Sequence, residues 1–164
     1  MSWRQRSFVA LPMLLLTVAC DQAMKHVAAA SFSAAVPYSL VGGAIELLYS
    51  ENSGAFLGLG AGLEPHLRFW LFTVGVALLL FVFGLKLFRA RGLSEAAGWS
   101  LVIGGGLGNL IDRVFRDGIV IDFLRVGVGD LRTGIFNVAD AAILGGLLLL
   151  LSAALGSGRE PVPR

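Results

Sequence analysis

Asp122 and Asp140, in the phrases Ile121-Asp122-Phe123 and Phe136-Asn137-Val138-Ala139-Asp140, each stand at the edge of a hydrophobic segment. A carboxylate in or beside lipid is costly unless it is paired, hydrated or put to use. Two carboxylates brought together can share one proton, which is what an acid–base pair acting on a peptide bond requires. Eighteen positions separate them, and that spacing alone does not make them meet. Taken singly, each reads as structural. Asp140 follows Asn137 by three residues, a variant of the capping box, and a carboxylate there suits the helix dipole. Asp122 reads as a solvated loop residue.

Other polar residues sit in equally apolar surroundings. Asp21 and Lys25 are four apart, so on a helix they share a face and form an ion pair, the plain reading, or else orient a site. Gly98, Gly104, Gly105, Gly106 and Gly108 strip bulk from one segment, which lets helix backbones approach closely. Asn109, with donor and acceptor groups, and Asp112-Arg113 follow at once. Arg113 suits a phosphate, carboxylate or backbone carbonyl, or simply an interfacial salt bridge with Asp112. Asn52-Ser53-Gly54-Ala55-Phe56 reads alone as a turn, because Asn and Gly tolerate positive φ.

The elements that must position these residues are set by composition. The 164-residue chain is 56% hydrophobic and 15% charged, and its mean hydropathy is +0.80. Those values exclude an ordinary soluble domain and a disordered chain and indicate an integral membrane protein. The expected fold is an all-α membrane protein, a single domain over 1–164, with four transmembrane helices at about 8–30, 68–87, 96–114 and 138–156. Each is near the roughly 20 residues that cross a hydrocarbon core of about 30 Å.

Basic residues set the orientation. Arg4 and Arg6 precede the first span, Lys86, Arg89 and Arg91 separate the second from the third, and Arg159 and Arg164 follow the fourth. The positive-inside rule then puts both termini in the cytoplasm and the loops holding Asp122 and Asn52 outside. The outer loop 31–66 is too long for a simple connector. Ser39–Val41 and Ala44–Tyr49 around Gly42-Gly43 predict a hairpin, hence a small extramembrane β-sheet in the first outer loop. The third loop holds Asp122, and Asp140 opens the following helix.

Residues 1–20 also imitate a lipoprotein signal, with a basic start, an apolar core and Ala19-Cys20. The further spans favour a retained helix, with Cys20 as a buried apolar filler. One cysteine and two histidines, His26 and His66, allow no disulfide and argue against a metal site. The net charge of +2 is too small and scattered to argue for nucleic acid.

Five motifs in order resemble the signal peptidase II family, the lipoprotein signal peptidases of bacterial inner membranes. They are Asp21-Gln22-Ala23-Met24-Lys25, Asn52-Ser53-Gly54-Ala55, Gly105 to Arg113, Val120-Ile121-Asp122-Phe123 and Phe136 to Asp140. The resemblance runs from about Leu14 to Leu148. One departure is that Phe56 follows Ala55 directly, where family members usually carry a second alanine. The resemblance implies an aspartic endopeptidase whose catalytic dyad is Asp122 and Asp140. It implies that Asn52, Gly54, Asn109, Arg113 and Asn137 line the site or bind substrate, and that Asp21, Lys25, Asp112 and Ala139 support it. The implied substrates are diacylglyceryl-modified prolipoproteins, cut just before the lipidated cysteine, with no metal or organic cofactor. The expected setting is the bacterial inner membrane among its lipids, as a monomer, with the active site toward the outer, periplasmic face. Two rival classes are a proton-coupled membrane transporter and a non-catalytic lipid-binding scaffold. Four spans without a repeat, and polar residues gathered at one edge, argue against the transporter.

Overall fold

The computed structural model describes residues 2–157. Arg159 and Arg164, invoked above for orientation, lie outside the described residues. Helix α1 spans Trp3–Ser31 and opens on a capping box between Ser2 and Gln5. Helix α2 runs over Pro65–Phe88, and its stretch Phe69–Gly75 is wound as wider π-helical turns. Helix α3 is Leu93–Phe115 and α4 is Val138–Ser157.

Three helices are long and apolar enough to cross a membrane: Trp3–Ser31, Pro65–Phe88 and Val138–Leu155. Their outer faces carry exposed Leu11, Leu15 and Leu16 on α1, Leu78 and Phe81 on α2, and Leu148 and Leu151 on α4. Cys20 belongs to this exposed surface. The expectation that it fills a buried gap is therefore corrected: it lies on the side of α1 turned away from the bundle.

Helix α3 differs because the other three surround it. Its glycines are the contact points. A Cβ on Gly104 would meet Thr17 of α1, one on Gly106 would meet Leu80 of α2, and one on Gly98 would meet Leu150 of α4. At Gly105 the obstacle is the carbonyl oxygen of Ala139, which belongs to backbone and cannot swing aside. Gly105→Ala should therefore push α4, and Asp140 with it, off α3. We expect a loss of about 1–3 kcal/mol, read as a lowered melting temperature, with a drop in turnover.

At the far end of the bundle Arg6 ties α1 to α2. Its guanidinium donates to the carbonyl of Phe88 and lies 5.7 Å from the centroid of the Phe88 ring. A cation there satisfies a helix C-terminus.

Over the opposite end sits a four-stranded antiparallel sheet in the order β1-β2-β3-β4. Strand β1 is Tyr38–Leu40, β2 is Ile45–Asn52, β3 is Val120–Val128 and β4 is Leu131–Arg132. The hairpin expected in the first loop is present, with strand bounds shifted by the turn Val41–Gly43. The sheet is not confined to that loop: half of it comes from the segment between α3 and α4. Asp122 is correspondingly a strand residue and is 2% exposed, which corrects its reading as a solvated loop side chain.

Strand alternation then sorts the side chains. Ile121 and Phe123 face α1 and form a core with Ala28, flanked by Met24, Phe32 and Tyr49. Asp122 lies on the other face, opposite Ser50, with Asn52 opposite Val120. Asn52 and Asp122 are thus diagonal neighbours across the β2–β3 pair.

Candidate active site

The sheet, the last turns of α3 and the first turn of α4 bring Asp122 and Asp140 into one hydrogen-bonded cluster. Asn137 joins them. Its Nδ2 donates to Asp122 Oδ1 at 2.6 Å, and its backbone N–H donates to Asp140 Oδ2 at 3.3 Å. Its Oδ1 accepts from the Asp140 N–H at 2.9 Å. The last two bonds are the reciprocal capping box expected from the sequence, so Asn137 caps α4 and bridges the aspartates at once.

Each carboxylate has a second amide partner. Asn52 Nδ2 donates to Asp122 Oδ2 at 2.9 Å, and Asn109 Nδ2 donates to Asp140 Oδ1 at 2.9 Å. Asn109 is fixed in turn, because its Oδ1 accepts from Lys25 Nζ at 2.9 Å and from Asn137 Nδ2 at 3.0 Å. A lysine donates and never accepts, so Lys25 determines that the amide NH2 of Asn109 faces Asp140.

Lys25 also forms ion pairs with Asp21 at 2.8 Å and Asp112 at 3.0 Å. These three side chains are wholly or almost wholly buried. The pairing of Asp21 with Lys25 is as the spacing suggests, yet the pair is also part of the site's support. Asp21 Oδ1 accepts from the Ala139 N–H at 2.9 Å in the first turn of α4. Asp112 Oδ2 accepts from the Ile121 N–H at 3.1 Å, beside Asp122. Gly108 is what lets α1 come so near, since a Cβ there would stand 2.6 Å from Asp21 Oδ2. Ala139 packs its own methyl against the same glycine. Asp21 and Asp112 therefore hold the two segments that carry Asp140 and Asp122.

Among the described residues Arg113 forms no ion pair at contact distance, so the salt bridge with Asp112 expected from the sequence is not made. Its Nη2 donates to the Gly54 carbonyl at 2.8 Å, its Nη1 to the Asn109 carbonyl at 3.4 Å, and it lies 6.0 Å from the centroid of the Phe72 ring. It pins the loop that follows Asn52. Asp112 pairs instead with Lys25 and, at 3.6 Å, with Arg116. The loop is tight: Asn52 Oδ1 accepts from the Gly54 N–H at 2.9 Å, and Asn52 Nδ2 also reaches the Ala55 carbonyl at 3.1 Å. Gly54 is required there, because a Cβ would meet the Leu59 carbonyl oxygen at 2.6 Å. Beyond it Phe56–Gly58 forms a single turn, with Leu57 at φ 57°.

Two contributors were given no role by the sequence. Gln22 Nε2 donates to the Gly108 carbonyl at 3.1 Å and to Asp112 Oδ1 at 3.2 Å. Its place next to Asp21 was the available signal. Phe72 beneath Arg113 had none.

Burial pushes the Asp122 carboxyl up from its ordinary value to about 6. The neighbouring Asp140 charge pushes the same way, while the hydrogen bonds from Asn52 and Asn137 pull it down. Asn52→Ala removes one of the downward influences. The limb of the pH–kcat/KM profile to which the Asp122–Asp140 pair contributes should then move to higher pH; an unmoved or lowered limb would contradict this placement.

A 220 Å³ cavity lined by Asp122, Asn52, Leu57 and Gly134 opens on the Asp122 side of this cluster. A pair of linked carboxylates beside such an opening suits hydrolysis of a peptide bond.

Comparison with known proteins bears on the same residues. A family model described as signal peptidase (SPase) II matches residues 13–155. The chain is 38% identical over 148 residues to the lipoprotein signal peptidase of Syntrophomonas wolfei subsp. wolfei, covering 89% of this chain and 93% of that one. It is 37% identical over 141 residues to the lipoprotein signal peptidase of Serratia marcescens, covering 85% and 81%. A solved bacterial membrane enzyme shares 26% identity at a TM-score of 0.75, covering 89% of this chain and 92% of its own. A second, 24% identical at a TM-score of 0.80 and covering 94% and 93%, shares the fold. The matched span contains every residue of the cluster just described, from Asp21 to Asp140, and on that basis the chain belongs to the signal peptidase II family of aspartic proteases.

Proposed function

We propose that this chain is an endopeptidase that removes the signal peptide from diacylglyceryl-modified prolipoproteins, using Asp122 and Asp140 as its dyad. Membership of the signal peptidase II family supports the cleavage of prolipoproteins. The observation that carries the dyad is Asn137, a single residue hydrogen-bonded to both carboxyls. In this reading one carboxylate is ionised and takes a proton from a bound water, whose oxygen attacks the scissile carbonyl carbon. The other is protonated and gives its proton to the carbonyl oxygen. The tetrahedral intermediate collapses as the carboxyl that took water's proton gives it to the leaving nitrogen, while the other carboxylate takes a proton back from a hydroxyl of the intermediate. The C–N bond breaks, and the signal peptide leaves with a new carboxyl group. Two coupled carboxyls titrate as a pair, so the profile belongs to both.

Asn52, Gly54, Asn109, Arg113 and Asn137 shape the substrate groove, and Asp21, Lys25, Asp112 and Ala139 keep its walls in register. The whole chain, 1–164, acts as one domain and a monomer. Helix α3 is the fourth span, shielded from lipid by the other three. Both termini face the cytoplasm, and the dyad lies at the outer edge of the inner membrane. Water reaches it there while the signal helix and acyl chains stay in lipid.

The test is incubation of the purified full chain with a diacylglyceryl prolipoprotein, followed by mass measurement of both products. A signal peptide ending on the residue before the cysteine supports the reading. Intact substrate would refute it and would suit a transporter or scaffold.

A further inference from the structure

A second and larger cavity, about 820 Å³, adjoins the one that Asp122 lines. One wall is the π-helical stretch of α2, with Phe69, Phe72 and Thr73, and another is the end of α3, with Arg113 and Val114. Ser53 and Glu51 line both this cavity and the smaller one that holds Asp122. Whatever enters therefore lies alongside the cavity that Asp122 lines. The charges of the lining cancel, with Arg68 and Arg113 against Glu51 and Asp117. Two polar atoms are buried here without a hydrogen-bond partner: Thr73 Oγ1 and Arg113 Nε. Both residues are about nine-tenths buried.

Those features select a ligand. Two unpaired donors call for acceptors, since buried polar groups are normally satisfied. Apolar aromatic walls call for hydrocarbon. A charge-balanced lining with two carboxylates favours a neutral acceptor over a phosphate. A carboxylic ester on an acyl chain has all three properties. On the peptidase reading given above, the residue that follows the scissile bond carries such esters on its side chain. We propose that this cavity is the subsite for the ester-linked glycerol of the substrate's cysteine, with Thr73 Oγ1 and Arg113 Nε donating to its ester carbonyls. The outer parts of the acyl chains continue into lipid. Thr73 then becomes a specificity-determining residue.

The test uses the purified full chain in lipid-free detergent and two prolipoprotein peptides. They are identical except that one cysteine carries an S-diacylglyceryl group and the other its dialkyl ether counterpart, which keeps the chains and removes the carbonyls. Wild type should prefer the ester in kcat/KM. Thr73→Val, nearly the same shape, should lower the ester-to-ether ratio by about two- to tenfold, the range of one neutral hydrogen bond, and mainly through KM. Thr73→Ser should restore it. A ratio unchanged in Thr73→Val, or both peptides slowed equally, would overturn the proposal. Added diacylglycerol should compete with the ester substrate. Competition by phosphatidylglycerol alone would give the cavity to a bilayer phospholipid and overturn it too. Wild type cutting neither peptide would instead sink the peptidase reading, and this inference with it.

Discussion

Asp122→Asn and Asp140→Asn each leave the chain folded and inserted while cleavage falls by about 10²–10⁴-fold or more, the range of a lost general acid or base. An amide keeps the shape of the carboxyl but neither takes a proton from water nor gives one up. The stability readout separates this from simple unfolding. The Asp122 carboxyl is pushed up to about 6 in the folded state, against about 4 in an unfolded chain. Its stabilising contribution is therefore complete below about pH 4 and lost as pH rises through about 6. At pH 7 the buried ionised form costs up to about 3 kcal/mol, which the asparagine does not incur. Asp122→Asn sheds that cost but loses one acceptor, since its Nδ2 cannot accept from Asn52 or Asn137, so it should melt close to wild type at pH 7 and should show a flatter stability profile between pH 4 and 6. An inactive variant that also melts far below wild type would make Asp122 structural. One that processes prolipoprotein at near wild-type rate would remove it from the chemistry.

Lys25→Met has the largest expected effect on stability. Lys25 is fully buried and is held by Asp21, Asp112 and Asn109. Methionine fills much the same volume and leaves two carboxylates facing one another without a cation. Breaking a buried ion pair from one side costs about 3–5 kcal/mol. The damage should not stop at the melting temperature. Asn109 loses the donor that fixes its amide, and both segments carrying the dyad lose rigid anchors. Lys25→Met with Asp21→Asn and Asp112→Asn, which removes the stranded charges, should recover much of the melting temperature but not the turnover. Recovery of both would mean that Lys25 only balances charge. No recovery of stability would mean that the cost is one of packing.

Three of the four expected spans were legible as helices long and apolar enough to cross a membrane, because a hydrophobic run of the right length has few alternatives in lipid. The capping box at Asn137 and Asp140 was equally legible, since both partners sit in one turn. The ion pair at Asp21 and Lys25 was visible from helical spacing, but its third and fourth partners, Asp112 and Asn109, come from another helix. No local pattern announces them.

The second half of the sheet was missed for a related reason. Val120–Val128 alternates weakly, because both faces of its first residues are buried, one on α1 and the other in the site. A strand covered on both sides loses the period-two signal that an exposed face would give. Cys20 failed in the opposite way. Cysteine is usually interior, but on a helix that faces lipid the apolar exterior accepts it as readily. The five motifs named the residues that cluster; how they cluster lay in long-range contacts such as the one between Asn52 and Asp122.

The two amides at the start of α4, those of Ala139 and Asp140, end on Asp21 and Asn137. Helix ends are where proteins open first, by brief local excursions that never reach global unfolding. Here each such excursion would also part Asp140 from the bridge to Asp122. On the proposed dyad, a local opening equilibrium would then set the competent fraction of the enzyme, and the exchange rate of two backbone protons would report it in the absence of any substrate.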